Sequence, residues 1–150
     1  MLKRPNTIEI IATQGDEILL SKQSQPKHHD YYSLFGGRGE PDEAPELTAK
    51  RELLEESGLS SDDWELIKIY EPYHKIDWQI FLYVARDCKK VAEQKLDVGE
   101  KIETIEMTFE EFVELVESDK YWGGELALDI LKMQKDPEKL AAFKEKLFSH

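Results

Sequence analysis

One segment of this chain limits its folding options more than any other: the stretch that runs from Gly36-Gly37 and Gly39 to Gly58. Glycines at its start allow tight turning or close backbone approach, and Gly58 reads as a C-terminal helix stop. Between them, residues 46–57 predict a helix, with apolar Leu47, Leu53 and Leu54 suiting one side of it. Glu52, Glu55 and Glu56 stand at i, i+3 and i+4, so all three carboxylates share one helical face. Like charges at that spacing weaken an isolated helix by roughly a few tenths of a kcal/mol per pair. Either water solvates such a face or a cation compensates it. All-oxygen ligands select hard ions, Mg²⁺, Ca²⁺ or Mn²⁺, over zinc.

The charge is concentrated around this helix. Residues 40–65 hold ten acidic and two basic side chains, so this window carries −8 of the net −12. An acidic chain of this kind lacks the positive face that a nucleic-acid backbone requires, and it is disfavoured at an anionic membrane surface. Phosphates remain accessible to it through bridging divalent cations. The 150 residues fit one domain, expected to span 1–150, and the single cysteine, Cys88, excludes an internal disulfide and a Cys-rich zinc site. The longest apolar run, residues 80–85, is far short of a membrane span, and no apolar signal region opens the chain; the expectation is a soluble cytoplasmic protein.

Elsewhere the pattern alternates strands and helices. Residues 7–13 and 17–22 predict strands joined by a hairpin turn at Gln14-Gly15-Asp16. A polar loop over 23–30, including His28-His29-Asp30 as solvated residues, leads to 31–35. Further strands are expected near 64–70, 78–85 and 102–107. Thr108 with Glu111 makes a capping box for a helix to about residue 119. Helices follow over 125–134 and from Asp136-Pro137 to residue 148. The fold class is therefore α/β (α+β), a mixed β-sheet sandwiched between α-helices.

From Gly37 the sequence runs five residues to Glu43, then seven to Arg51-Glu52-Leu53-Leu54-Glu55-Glu56-Ser57-Gly58-Leu59. This resembles the Nudix box, G-x5-E-x7-R-E-U-x-E-E-x-G-U with U aliphatic, at every defined position. The resemblance implies the Nudix fold and metal-dependent hydrolysis of a nucleoside diphosphate linked to another moiety. It implies Mg²⁺, with Mn²⁺ as a substitute, held by Glu52, Glu55 and Glu56 and by the backbone carbonyl of Gly36. Arg51 is then a structural and electrostatic partner, paired with Glu43. Pro72, fourteen residues after Gly58, and the Gly99-Glu100-Lys101-Ile102-Glu103 pattern are similar to the ADP-ribose hydrolase branch. There a loop glutamate supplies a metal ligand or the general base, and Glu100 matches best.

Phe35 and Asp42 stand where many Nudix proteins have proline and glycine. Nucleoside triphosphates and dinucleoside polyphosphates remain alternative substrates, and a nucleotide-sensing binding module is the non-enzyme alternative. A base pocket needs a flat aromatic partner; Tyr32, Phe35, Tyr73 and Trp78 are the candidates near the motif. Lys22 and Arg38 are the nearest cations for a phosphate or sugar. The resemblance also favours a homodimer.

Overall fold

The computed structural model describes residues 2–25 and 28–148. In chain order the strands are β1 (Leu2–Lys3), β2 (Thr7–Gln14), β3 (Glu17–Gln25), β4 (His28–Ser33) and β5 (Phe35–Arg38), followed by helix α1 (Pro45–Ser57). Then come β6 (Leu59–Ser60), β7 (Asp63–Tyr70), β8 (Ile76–Asp77), β9 (Ile80–Arg86), β10 (Lys89–Lys90) and β11 (Ile102–Thr108). Three helices close the chain: α2 (Phe109–Val116), α3 (Gly124–Met133) and α4 (Pro137–Phe148).

The main sheet is mixed, in the order β11-β3-β2-β9-β7, with only β2 and β9 parallel along that path. Side chains alternate across it and feed two cores. Ile8, Ile10, Ala12, Leu19 and Phe35 pack with Ala49 and Leu53 of α1 on one face. Ile11, Ile18, Leu20, Leu82 and Val84 pack with Phe112, Ile130 and Leu147 of the three C-terminal helices on the other. The expected helix–sheet–helix sandwich is thus the observed one.

A split in this sheet positions the site. β2 and β3 pair only next to their turn, from Ala12–Leu19 to Gln14–Glu17, and then diverge. The opening is lined by β4, which pairs with β3, and by β5, which pairs with β2. Leu34 turns the chain from one to the other, so β5 delivers Gly36 and Gly37 to the floor of the opening.

Several boundaries depart from the sequence expectation. Residues 23–25 and 28–30 are strand, not loop, because polar cross-strand pairs replace the missing apolar alternation. The Tyr31 hydroxyl donates to Gln23 at 2.7 Å, the Gln23 amide donates to Ser33 Oγ at 3.1 Å, and Lys22 lies 3.8 Å from Asp30. His29 and Asp30 remain exposed within that strand. β1, pairing in parallel with β8, was not expected at all. On α1, Leu53 is buried as expected, whereas Leu47 and Leu54 are exposed at 58% and 41%. The small residues Thr48, Ala49 and Ser57 are buried there instead, letting the helix lie close on the sheet. α2 ends at Val116, three residues early; its capping box is formed as predicted.

Candidate functional site

α1 begins with Pro45 in its first turn and ends on Gly58, whose φ of 73° is left-handed and whose N–H donates to the Leu54 carbonyl at 2.8 Å. A Cβ at Gly58 would stand 2.0 Å from the Ala92 carbonyl oxygen, so the chain after β10 runs directly against the helix end. The Gln94 amide fixes this run by donating to the Glu56 carbonyl at 2.6 Å and the Ile102 carbonyl at 2.7 Å. Glu100 is carried past the helix in the same segment, where its carboxylate accepts from the Asp97 N–H at 2.7 Å.

Arg51 ties the helix to the loop ahead of it. Its Nε and Nη2 donate to the two oxygens of Glu43, each at 3.0 Å, a bidentate fork. Thr48 Oγ1 adds a third donor to Glu43 at 2.7 Å. Chiefly through the Arg51 hydrogen bonds, the Glu43 carboxyl is lowered to about 2. The remaining guanidinium nitrogen, Nη1, donates to Glu52 at 3.1 Å and Glu55 at 3.3 Å. One cation therefore sits against three of the motif's carboxylates.

Glu56 is different. It is turned inward, accepts from the Gly36 N–H at 2.8 Å, and has no cation against it among the described residues. Burial first, then the charges of Glu52, Glu100 and Glu55, push its carboxyl up to about 8 despite that hydrogen bond. Burial also raises Glu52. The glycines make this approach possible: a Cβ on Gly37 would lie 2.5 Å from the Glu52 carboxyl carbon, and one on Gly36 would lie 1.9 Å from the Ile8 carbonyl oxygen.

Glu52, Glu55, Glu56 and Glu100, with Gly36, Gly37, Arg38 and Arg51, line a polar cavity of about 450 Å³. Among the described residues no three acidic, His or Cys side chains stand gathered into a ready metal cage. Arg51 and Gly36 hold the carboxylates instead. The donor set nonetheless fits a hard divalent cation, since it is all oxygen and includes a desolvated carboxylate crowded by like charges. Mg²⁺ keeps several waters and needs only one or two carboxylates directly, so it does not require a closed cage.

A second cavity, about 560 Å³, fills the split in the sheet and shares Gly36, Gly37 and Glu56 with the first. Its aromatic lining is Tyr31, Phe35, Trp78 and Trp122. Tyr31 and Trp122 face each other with ring centroids 5.8 Å apart, and Trp122 is 72% exposed. The loop between α2 and α3 is laced to β4 by main-chain bonds, Tyr32 N to the Lys120 carbonyl and Trp122 N to the Tyr32 carbonyl, each 2.8 Å.

The sequence-proposed aromatics divide between these places. Trp78 lines the cleft, donating its indole N–H to Thr7 Oγ1 at 2.9 Å. Tyr73 is outside it, stacked on Trp78 at 6.0 Å and half exposed. Phe35 borders the cleft but is fully buried, its ring packed in the core against α1. Tyr32 packs on the opposite core with Leu34. Strand alternation relative to the apolar Leu34 was the available signal: it sends Tyr32 to the core and leaves Tyr31 for the cleft. Trp122, ahead of the Gly123-Gly124 pair, was missed, as was the partly buried Glu9 on the cleft wall. Arg38 reaches the carboxylate cavity, whereas Lys22 is paired with Asp30.

Comparison with known proteins agrees with this geometry. The NUDIX domain family matches residues 3–127. ADP-ribose pyrophosphatase of Bacillus subtilis (strain 168) is 29% identical over 140 residues, 89% of this chain and 75% of that protein. Methanol dehydrogenase activator of Bacillus methanolicus is 26% identical over 141 residues, 90% of this chain and 76% of that one. Among solved structures, an ADP compounds hydrolase superposes with a TM-score of 0.72 at 17% identity, covering 91% of this chain and 76% of its own. A NUDIX hydrolase from Nitrosomonas europaea gives 0.67 at 20% identity, covering 93% and 90%. Nudix hydrolases generally use divalent metal cations. With the box matched, the fold shared and the family spanning most of its length, this chain belongs to the NUDIX domain family and is a Nudix hydrolase.

Proposed function

We propose that the protein is a metal-dependent pyrophosphohydrolase acting on a nucleoside diphosphate joined to a second group, with ADP-ribose as first substrate, yielding AMP and ribose 5-phosphate. One observation carries the reading: the carboxylate cavity and the aromatic cleft share Gly36, Gly37 and Glu56, so a pyrophosphate bound over the carboxylates can lead directly into a stacking pocket. The similarity to an ADP-ribose pyrophosphatase supports the choice of substrate.

In this reading Glu52, Glu55, Glu56 and Glu100, with the Gly36 carbonyl, hold Mg²⁺, and Mn²⁺ can replace it. A cation bound there supplies counter-charge to the diphosphate and acidifies water at neutral pH. The chain's own residues do the rest. Arg51 holds Glu52 and Glu55 in position and fixes the helix to Glu43. Arg38, on the cavity rim, meets phosphate oxygens. Glu100, on a segment tied to α1 and β11 through Gln94, is the candidate general base for the attacking water.

The test is a substrate panel: ADP-ribose, nucleoside diphosphate sugars, nucleoside triphosphates and dinucleoside polyphosphates, each with Mg²⁺ or Mn²⁺ and a coupled phosphatase. ADP-ribose turnover that stops in EDTA is the expected result. No turnover of any compound at neutral or alkaline pH would refute hydrolysis.

A further inference from the structure

The cleft contains a carboxylate that hydrolysis does not use. Glu9, in the middle of β2, lines it together with Glu125 from the first turn of α3. Among the described residues no cation or donor is paired with the Glu9 carboxylate, although it is largely buried. It faces the cavity beside Glu125, a second carboxylate, and no other side chain of the described residues neutralises it.

A second group is left open at the same place. Tyr121 Oη is a buried side-chain oxygen without a hydrogen-bond partner among the described residues. The point that a Cβ on Gly123 would occupy lies 3.4 Å from this oxygen and 3.5 Å from Glu9 Oε2. Gly123 has φ of 144°, open to glycine and strained for other residues, so the backbone there leaves the gap uncovered. Buried polar groups are ordinarily satisfied; a buried orphan oxygen just behind Gly123, beside a cavity-lining carboxylate with no cation against it, points to a ligand.

The chemistry of that ligand follows from the walls. Two carboxylates repel phosphate, and Glu125 already occupies the positive end of α3. They accept hydrogen bonds, so the ligand presents N–H or O–H donors. Tyr31, Trp122 and Trp78 favour a planar ring over a sugar. We propose that Glu9, assisted by Glu125, is the specificity-determining acceptor for the amino group of a nucleobase stacked in this cleft. The inference rests on the cleft being the nucleotide's pocket.

The test is binding without turnover. AMP and IMP, which differ at the amino-bearing position of the base, are titrated into the full chain in EDTA, read by calorimetry and by the fluorescence of Trp122 and Trp78. AMP is expected to bind at least about tenfold more tightly than IMP, since an acceptor placed for the amino group meets a carbonyl oxygen at that position of the oxo base. Glu9→Met, similar in shape but without acceptor oxygens, is expected to bring the two within about twofold, and Glu9→Gln to narrow the preference because its amide can turn an N–H toward the oxo group. Circular dichroism checks that each variant is folded, and the wild-type ratio decides if Glu9→Met unfolds. Equal AMP and IMP binding, no AMP binding at millimolar concentration, or a preference that survives in folded Glu9→Met overturns the inference. Equal AMP and IMP binding with weaker 2′-deoxy-AMP also overturns it and assigns the carboxylates to the sugar. An AMP preference in a protein that hydrolyses nothing refutes the hydrolase reading alone; ADP-ribose turnover without the preference refutes this inference alone.

Discussion

Glu56→Gln isolates the energetic cost of gathering carboxylates without a cation. In the folded chain the Glu56 carboxyl sits at about 8 against an ordinary value of 4.5. An acid whose value is raised on folding keeps its proton in the native state after the unfolded chain has lost it. Stability from this group is therefore full below pH 4.5 and falls as pH rises toward 8, where the native state must ionise too. At about 1.4 kcal/mol per pH unit the loss is about 5 kcal/mol. For a chain of this size that corresponds to about 10–20 °C in Tm. Glutamine retains the oxygen that accepts from Gly36 and removes the charge, so the variant escapes this loss. The assay is thermal unfolding of both proteins in EDTA from pH 5 to pH 9. The variant is expected to gain on wild type as pH rises to about 8 and to level off above it, and Mg²⁺ to close the gap by stabilising wild type alone. A Tm difference that stays constant across that range, or equal Mg²⁺ stabilisation of both, would refute the reasoning. Turnover of the variant should fall by orders of magnitude.

Gly37→Ala puts a methyl group within 2.8 Å of all three Glu52 carboxyl atoms, which can swing away. It should cost about a hundredfold in kcat with little change in Tm, measured on the best panel substrate. Gly58→Ala meets a carbonyl oxygen at 2.0 Å and a left-handed φ, so it should lower Tm by several degrees at least, on the order of 1 kcal/mol or more, read by scanning calorimetry. The Glu43 carboxyl is lowered from 4.5 to about 2, chiefly by Arg51, so its stabilisation is present above pH 4.5 and disappears as pH falls through 2. Arg51→Ala should accordingly move the acid-unfolding midpoint upward, followed by far-UV circular dichroism. Phe112→Ala, at a fully buried contact of the C-terminal helices, should cost about 3–5 kcal/mol in urea unfolding without altering substrate preference.

What could be read in the sequence was whatever local chemistry dictates. The helix carrying Glu52, Glu55 and Glu56, its left-handed stop at Gly58 and the capping box at Thr108 all form as expected, because each depends on residues a few positions apart. The pairing of Arg51 with Glu43 was also legible, from the motif they share. The base-side residues were not, since they are assembled across the chain. Tyr31 and Trp122 are 91 residues apart in sequence, and neither signals the other until β4 and the loop before α3 are bonded together. Phe35 was legible only in part: its position beside the glycines borders the cleft, yet the strand it begins pairs with β2 and buries the ring against α1.

The two cavities meet where the sheet fails to close. Had β2 and β3 remained paired beyond Ala12 and Leu19, no strand could have brought Gly36 against Ile8 and under Glu56. The divergence thus serves both ends of a substrate at once. It opens the cleft on Glu9 and Tyr31, and it presents a backbone edge without side chains to the acidic face of α1. A side chain at Gly36 would drive into the Ile8 carbonyl, so that glycine is fixed by packing before any ion or phosphate is considered, whereas one at Gly37 would displace only the Glu52 carboxylate. The motif's spacing has a structural basis as well. Its chemistry depends on five residues between Gly37 and Glu43 and seven to Arg51, the length of chain needed to turn from the open strand into a helix whose charges face back across it.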